Sequence, residues 1–269
     1  MKELNGKELS LFIKERQAKA VRGLRQANNI APKLAIIRTN PDPVVDSYMR
    51  IKQSYGEDIL IDVDVYSIDQ NEAIRIIESL NNDDSVHGII VQIPLPNPED
   101  TNKILNAVSV DKDVDGLAEN SKFDAPTPMA INWLLAGYGV ELAGKQIVVV
   151  GHGRLVGRPL TDMWQKSGYE VIVADKNTVD LGALTKTADI LVCATGVASL
   201  IKPEMVKDNT IIIDAGVSTD SNGLVGDVSS DVRKNDTLII TPQKGGVGPL
   251  TVAALFENVI TAARSSVAK

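Results

Sequence analysis

The fold of the second half of the chain is decided by residues 147–159, which read Ile147-Val-Val-Val-Gly151-His-Gly153-Arg-Leu-Val-Gly157-Arg-Pro159. Four apolar residues predict a buried parallel strand, and a helical pattern from Leu155 to Lys166 follows the glycines. A glycine turn between a strand and a helix presents backbone N–H groups and a positive helix end to a phosphate. The stretch therefore predicts a nucleotide-binding turn, with candidate contacts at Gly151, His152, Gly153, Arg154, Val156 and Gly157.

The spacing Gly-x-Gly-x-x-x-Gly is one residue longer than the common dinucleotide fingerprint, so its context matters. The next predicted strand, Glu170–Ala174, ends before Asp175, which lies 24 residues after Gly151. An acid about 20 residues after the first glycine binds the adenosine ribose in such folds, although Asp175 also suits an ordinary turn. Further apolar runs at Ile190–Ala194 and Thr210–Asp214 extend the strand–helix rhythm, and Thr195 and Gly196 are additional candidates for cofactor contacts.

Composition excludes several classes of protein. The chain has 269 residues, 43% of them apolar, and a net charge of −7. The acidic balance and the absence of a basic stripe argue against nucleic-acid binding, and no apolar run approaches the ~18 residues of a membrane span. Residues 1–7 lack the apolar core of a signal peptide. We therefore expect a cytoplasmic protein with no membrane or nucleic-acid partner.

Cysteine and histidine are too sparse for a dedicated transition-metal site. Cys193 is the only cysteine, and it lies in an apolar strand, where a buried thiol acts as a small hydrophobe. A single cysteine allows no internal disulfide, which fits a reducing compartment. The only histidines, His87 and His152, are far apart in the sequence. We expect no metal cofactor.

The first 120 residues also alternate between strands and helices, which predicts a second parallel sheet. Predicted strands include Lys33–Arg38 and Gly88–Ile93, and a helix from about Val44 to Tyr55 lies between them. A last helix, Leu250–Arg264, comes after the final strand and would pack back on the first lobe. The expected fold is α/β with two lobes and a cleft between them: an N-terminal α/β lobe and a Rossmann-type, doubly wound nucleotide-binding lobe.

Four polar residues of the first lobe are candidates for chemistry. Tyr48 and Lys52 are four apart, so they share one face of the predicted helix; alternatively they are a packing tyrosine and a solvated lysine. Gln92 interrupts an apolar strand near its end, where it either satisfies a neighbour or faces a ligand. Asp115, before Gly116, is either a turn residue or an acceptor for a donor-rich ring.

Several motifs in order carry a resemblance to a known family. They are Tyr48-x-x-x-Lys52, Val91-Gln-Ile-Pro-Leu-Pro96, Lys112-Asp-Val-Asp-Gly116 and Pro242-x-x-Gly245-Gly-Val-Gly-Pro-Leu-Thr251. Together with the glycine turn they resemble the bifunctional methylenetetrahydrofolate dehydrogenase/methenyltetrahydrofolate cyclohydrolase family over nearly the whole chain. The resemblance implies NAD(P)-dependent oxidation of 5,10-methylenetetrahydrofolate, followed by hydrolysis of the methenyl product to 10-formyltetrahydrofolate.

The resemblance also implies a role for each matching residue. Lys52 would be the acid/base group of the hydrolysis, Gln92 would orient it, Tyr48 would stack on the aminobenzoate ring, and Asp115 would bind the pterin. Gly246, Pro249 and Thr251 would also contact the substrate, with Gly246 to Pro249 lining the opposite side of the cleft. The implied organisation is a folate-binding lobe of residues 1–124 with 245–269 and a nucleotide lobe of 125–244, in a homodimer.

Departures from the family pattern affect the choice of cofactor. The family usually has Gly-Arg-Ser where this chain has Gly151-His152-Gly153. At the end of the next strand the family usually has a histidine followed by a small or basic residue, whereas this chain has Asp175 followed by Lys176. The resemblance implies NADP, whereas a carboxylate at Asp175 repels a 2′-phosphate and favours NAD. Lys176, Arg154 or Arg158 would compensate if NADP binds.

Two other functions are consistent with parts of the sequence. A different two-lobe NAD(P) dehydrogenase would share the nucleotide lobe but would not need the motifs around Gln92 and Asp115. A non-catalytic nucleotide-binding regulator would not need Tyr48, Lys52 and Gln92 together, and a folate-binding test would distinguish it.

Overall fold

The computed structural model describes residues 2–220 and 223–266 of the chain. Its α-helices are α1 (Gly6–Asn28), α2 (Pro43–Asp58), α3 (Ala73–Asn81), α4 (Thr101–Leu105), α5 (Pro126–Gly137), α6 (Gly157–Lys166), α7 (Leu181–Thr187) and α8 (Val247–Ser266). Its strands are β1 (Lys2–Glu3), β2 (Lys33–Arg38), β3 (Asp62–Ser67), β4 (Gly88–Gln92), β5 (Ile147–Val150), β6 (Val171–Ala174), β7 (Ile190–Cys193), β8 (Ile211–Asp214), β9 (Ser218–Asp220), β10 (Gly223–Val225) and β11 (Ile239–Ile240).

The chain divides into two compact units. The six-stranded unit comprises the residues up to Ser10 together with Thr127–Thr251. The three-stranded unit comprises Leu11–Pro126 together with the residues from Val252 onward. Helices α1 and α8 each contribute residues to both units.

The three-stranded unit is built on a parallel sheet in the order β3-β2-β4. Strand β2 alternates its side chains between two cores: Leu34 and Ile36 lie in one, and Ala35 and Ile37 lie in the other. A parallel sheet buried on both faces requires such a continuous apolar strand. Phe256 of α8 packs in the first of these cores. The prediction that the last helix returns to the first lobe is therefore confirmed.

The six-stranded sheet has the strand order β1-β11-β8-β7-β5-β6, and all of its pairs are parallel. The same unit also contains the two-stranded antiparallel sheet of β9 and β10. From β5 the chain moves outward to β6 and then crosses back to β7 on the other side. The direction of winding therefore reverses beside β5, and ligands of such sheets bind at this point, outside the carboxyl ends of the strands. The predicted Rossmann-type fold is confirmed. Cys193 is buried in β7, as expected for a core thiol.

Several predicted helix boundaries differ from the observed ones. Helix α2 ends at Asp58 rather than Tyr55. Helix α6 begins at Gly157 rather than Leu155, because the backbone at Val156 (φ −133°, ψ −69°) is not helical. Helix α8 begins at Val247 rather than Leu250. Pro249 lies within its first turn, where a proline lacks an N–H that has no intrahelical partner in any case.

Residues 2–220 and 223–266 include no helix that is both long and apolar enough to span a membrane.

Candidate active site

The four candidate residues of the three-stranded unit, hereafter the Lys52 group (Tyr48, Lys52, Gln92 and Asp115), come from three segments. Tyr48 and Lys52 lie one turn apart on α2, and Gln92 is the last residue of β4. Asp115 belongs to the loop that pairs with β4 through a bridge between Ile89 and Asp113. Strand β4 and this loop therefore bring together residues that are distant in the sequence.

A direct hydrogen bond joins Lys52 to Gln92. The Nζ of Lys52 donates to Oε1 of Gln92 at 3.0 Å. The amide of Gln92 is itself oriented, because its Nε2 donates to the carbonyl of Ile93 at 3.1 Å. The Gln92 carbonyl therefore faces the amine, and Gln92 fixes where the amine nitrogen lies.

Burial shifts the pKa values of Lys52 and Asp115, and each of the two charges partly opposes the shift of the other. Burial lowers the pKa of Lys52, and the negative charge of Asp115 partly opposes this shift. Burial also raises the pKa of Asp115 to about 6, an effect that Lys52 opposes and Asp113 reinforces. Desolvation disfavours the charged form of either group. The pair thus combines an amine that releases its proton more readily than usual with a carboxyl group that takes up a proton at a higher pH than usual.

Tyr48 differs from the rest of the group because its side chain is 37% exposed. An exposed aromatic ring one turn from Lys52 provides a surface on which a planar group can stack.

The glycine turn of the six-stranded unit has the geometry of a phosphate-binding site. Gly151 has φ +98°, a conformation that favours glycine. A Cβ at Gly157 would lie 1.9 Å from the carbonyl oxygen of Gly151, so the start of α6 packs directly on the turn. A Cβ at Gly153, in contrast, would meet no described atom within 4 Å. Gly153 therefore borders open space.

The N-terminus of α6 is available to an anion. Val156, at the N-cap position, carries no acceptor and makes no side-chain capping bond. The N–H groups of the first helical turn carry a partial positive charge and favour a phosphate. This turn and helix fit the pyrophosphate of a dinucleotide. His152 and Arg154 are exposed on the same turn.

Thr195 and Gly196 directly follow β7. In the sheet, β7 pairs with one side of β5, and β6 pairs with the other. A Cβ at Gly151 would lie 2.5 Å from the carbonyl oxygen of Ala194 and 3.0 Å from Cγ2 of Thr195. The structure therefore places the predicted loop after β7 against the predicted glycine turn.

Asp175 and Lys176 are exposed residues directly after β6. The carboxylate of Asp175 accepts hydrogen bonds from the backbone N–H of Asn177 at 2.9 Å and from its Nδ2 at 3.2 Å. Asp175 is therefore a turn residue. A carboxylate offers about four acceptor positions, so the same group also has capacity for a ribose hydroxyl.

The third predicted set, Gly246, Pro249 and Thr251, lies at the start of α8 in the six-stranded unit. Gly246 is buried beside Gly6. A Cβ added at Gly6 would lie 1.9 Å from the carbonyl oxygen of Gly246. Thr251 donates within its own helix to Val247, at 3.3 Å. The structure groups these residues with the nucleotide-turn unit and not with the Lys52 group.

Reasoning from the sequence missed one buried polar residue near the predicted cofactor loop. Asp227 is fully buried, and its Oδ2 accepts from the backbone N–H of Thr195 at 2.6 Å. The sequence does contain a signal for such a residue, because Asp227 is the only acid in the otherwise apolar and glycine-rich run Leu224-Val-Gly-Asp-Val228. Across residues 2–220 and 223–266, no cluster of three or more His, Cys, Asp or Glu is placed to hold a metal ion.

Two family models match the chain. The catalytic domain of tetrahydrofolate dehydrogenase/cyclohydrolase matches residues 4–115, and the NAD(P)-binding domain of the same enzymes matches residues 125–267. The bifunctional protein FolD of Exiguobacterium sibiricum is 37% identical, covering 97% of this chain and 99% of its own.

Solved structures agree with the family models. The bifunctional FolD methylenetetrahydrofolate dehydrogenase/cyclohydrolase of Campylobacter jejuni is 36% identical, with a TM-score of 0.93 over 98% of this chain and 99% of that one. The Trypanosoma brucei enzyme, solved with NADP and an inhibitor, is 28% identical, with a TM-score of 0.91 over 98% of both chains.

Proposed function

Because the chain belongs to the tetrahydrofolate dehydrogenase/cyclohydrolase family, we propose that it oxidises 5,10-methylenetetrahydrofolate and hydrolyses the methenyl product to 10-formyltetrahydrofolate. The family predicted from the sequence is confirmed. The two alternative functions are disfavoured, because the family match covers the catalytic domain as well as the NAD(P)-binding domain. The assignment of the hydrolytic site depends on the hydrogen bond between Lys52 and Gln92.

The first reaction is removal of hydride from the one-carbon bridge of the substrate. NAD(P), when bound, would supply the hydride acceptor, and the substrate without its hydride is the methenyl cation. The protein contributes mainly position, because the cofactor supplies the reactivity. The glycine turn and the N-terminus of α6 would hold the pyrophosphate, and the loop at Thr195 and Gly196 would lie beside it.

The second reaction adds water to the methenyl carbon. Lys52 takes a proton from the attacking water and returns one to N5 of the folate as the bond from carbon to N5 breaks. The remaining hydroxyl proton leaves to solvent, so one proton is released per turnover. The lowered pKa of Lys52 supports this role, because a general base must be unprotonated before it acts.

The other members of the Lys52 group would bind the substrate. Gln92 holds the amine through its carbonyl and so keeps Lys52 beside the reacting carbon. Tyr48 offers an exposed ring for the aminobenzoate. Asp115 is an acceptor for the amino and ring N–H donors of the pterin. Gly246, Pro249 and Thr251 are proposed as further substrate contacts on the resemblance of their motif to the family.

The choice between NAD and NADP depends on the turn after β6. Two exposed residues of opposite charge lie in this turn, the negative Asp175 and the positive Lys176. The negative charge favours NAD, because a carboxylate accepts from a free ribose hydroxyl and repels a 2′-phosphate. The homodimer, the cytoplasmic location and the lobe boundaries at 124/125 and 244/245 remain predictions from the sequence.

A spectrophotometric assay with methylenetetrahydrofolate, run in parallel with NAD and with NADP, tests the proposal. We expect methenyl product with at least one cofactor, and its hydrolysis in a separate assay that contains no dinucleotide. Lys52→Met should abolish hydrolysis while the protein still binds dinucleotide. Unchanged hydrolysis in that variant would remove Lys52 from the mechanism, and no product from folded wild-type protein would refute the proposed dehydrogenase.

A further inference from the structure

We propose that Asp227 is a positioning residue for the dinucleotide, acting through Thr195 to hold the loop after β7 against the glycine turn. The inference rests on the proposed function, because it assumes that the six-stranded unit binds NAD(P). Asp227 itself would not touch the cofactor.

The contact is double and involves the same carboxylate oxygen. Oδ2 of Asp227 accepts from the backbone N–H of Thr195 at 2.6 Å and from its hydroxyl at 2.8 Å. The hydroxyl of Thr195 in turn accepts from the N–H of Val197 at 3.1 Å. Both ends of the turn around Gly196 are therefore tied to one buried carboxylate, and hydrogen bonds to a charged acceptor are about twice as strong as neutral ones.

A second loop rests on the other oxygen of the carboxylate. A Cβ at Gly216, in the loop after β8, would lie 1.9 Å from Oδ1 of Asp227. Asp227 therefore lies under the loops that follow two adjacent strands, β7 and β8. Both loops are at the carboxyl edge of the sheet, where ligands of doubly wound folds bind.

Asp227 is held in place by a second buried acid. Oδ1 of Asp214, at the end of β8, accepts from the backbone N–H of Asp227 at 2.9 Å. Nη2 of Arg233 lies 3.2 Å from Oδ2 of Asp214 and compensates its charge. A continuous set of contacts thus runs from Arg233 through Asp214 and Asp227 to Thr195.

The cost of this arrangement points to a use beyond folding. Asp227 is fully buried, and its Oδ1 has no hydrogen-bond partner among the described residues. An unpartnered buried oxygen on a carboxyl group is unfavourable for stability. What the carboxylate provides in return is a fixed position for Thr195, whose Cγ2 borders Gly151 of the glycine turn.

The test compares dinucleotide binding with hydrolysis in the same protein. For Asp227→Asn we expect the Kd of NAD or NADP, measured by calorimetry, to rise about 10- to 100-fold, as for lost hydrogen bonds to a charged group. The KM for the dinucleotide should rise by a similar factor, with a smaller change in kcat. Hydrolysis of methenyltetrahydrofolate, which uses no dinucleotide, should keep its rate.

Asp208→Asn is the matched control. Asp208 lies in the same unit but is exposed, and its Oδ1 accepts from Nδ2 of Asn235 at 3.0 Å and from the hydroxyl of Thr237 at 3.1 Å. Removing that charge loosens a surface loop of the unit and should leave the dinucleotide Kd unchanged.

A second pair of variants decides the question if Asp227→Asn does not fold. Thr195→Ser keeps the hydroxyl donor, whereas Thr195→Val removes it, so Thr195→Val should weaken dinucleotide binding more than Thr195→Ser does. The double variant of Asp227→Asn with Thr195→Val should be less than additive, since both changes break the same contact.

Two results would overturn the inference. One is an unchanged dinucleotide Kd in Asp227→Asn or in Thr195→Val. The other is an equal loss of dinucleotide binding and hydrolysis, which indicates general loosening rather than positioning. Wild-type protein that binds dinucleotide but does not oxidise methylenetetrahydrofolate would refute the proposed function instead, and the Kd measurements would still test Asp227.

Discussion

Replacing Gln92 with glutamate tests whether the proton affinity of Lys52 controls hydrolysis. The substitution keeps the length of the side chain and places a negative charge where Oε1 now accepts from Nζ of Lys52 at 3.0 Å. With an effective dielectric constant of ~20, opposite charges at this range attract by about 5 kcal/mol, which limits the rise in the pKa of Lys52 to about four units. Measured shifts for such pairs are about one to three units.

A higher pKa lowers the fraction of Lys52 that is in the base form at a given pH. The unprotonated fraction falls about tenfold for each unit by which the pKa rises above the assay pH. We therefore expect Gln92→Glu to slow hydrolysis of methenyltetrahydrofolate at least about tenfold at neutral pH. The rising limb of the pH–rate profile should move to higher pH by at least about one unit.

The neutral variant Gln92→Met separates charge from the loss of a contact. It removes the acceptor without adding charge, so hydrolysis should weaken through poorer positioning while the rising limb does not move to higher pH. The initial rate of hydrolysis, measured as a function of pH on both sides of neutrality, compares both variants with the wild type. A profile for Gln92→Glu that superimposes on the wild type would refute the assignment of Lys52 as the base.

Three further predictions follow from the contacts described. Gly153→Ala should retain stability but weaken dinucleotide binding about 5- to 150-fold, the effect of overpacking by about 1–3 kcal/mol. Gly157→Ala should instead destabilise the fold, because its Cβ would lie 1.9 Å from a carbonyl oxygen. Calorimetry measures the binding, and thermal unfolding measures the stability. Asp175→Ser should shift the ratio of kcat/KM values towards NADP, and an unaltered ratio would show that Asp175 does not meet the ribose. The pKa of Asp115 is raised to about 6, so the folded protein binds more protons than the unfolded chain, and stability should fall by up to about 3 kcal/mol as pH rises from 4 to 7. Urea unfolding should show a flatter dependence on pH for Asp115→Asn, and an equal slope in both proteins would contradict the burial of Asp115.

The elements were largely predictable from sequence because they follow local periodicity. Strands β2 and β5 have the predicted bounds, since each is a continuous apolar run between clear breakers. Helix α7 has only seven residues and gave no usable periodic signal. The predicted start of α8, Leu250, lies three residues after the observed start at Val247, and a proline within the first turn, such as Pro249, is compatible with a helix.

The sequence alone determined the family, the two α/β lobes and the identity of the candidate residues. These depend on spacing, on apolar periodicity and on motifs that lie within a few residues of one another. A phosphate-binding turn could be predicted at Gly151 and Gly157 because that requirement is local to the strand, the turn and the helix.

Only the tertiary structure decided how those residues interact. Lys52 and Gln92 are 40 residues apart, and Thr195 and Asp227 are 32 apart, yet each pair is joined by direct hydrogen bonds. The pKa shifts of Lys52 and Asp115 likewise depend on burial by segments distant in the sequence. Desolvation and hydrogen-bond geometry are properties of packed neighbours, so no local pattern encodes them.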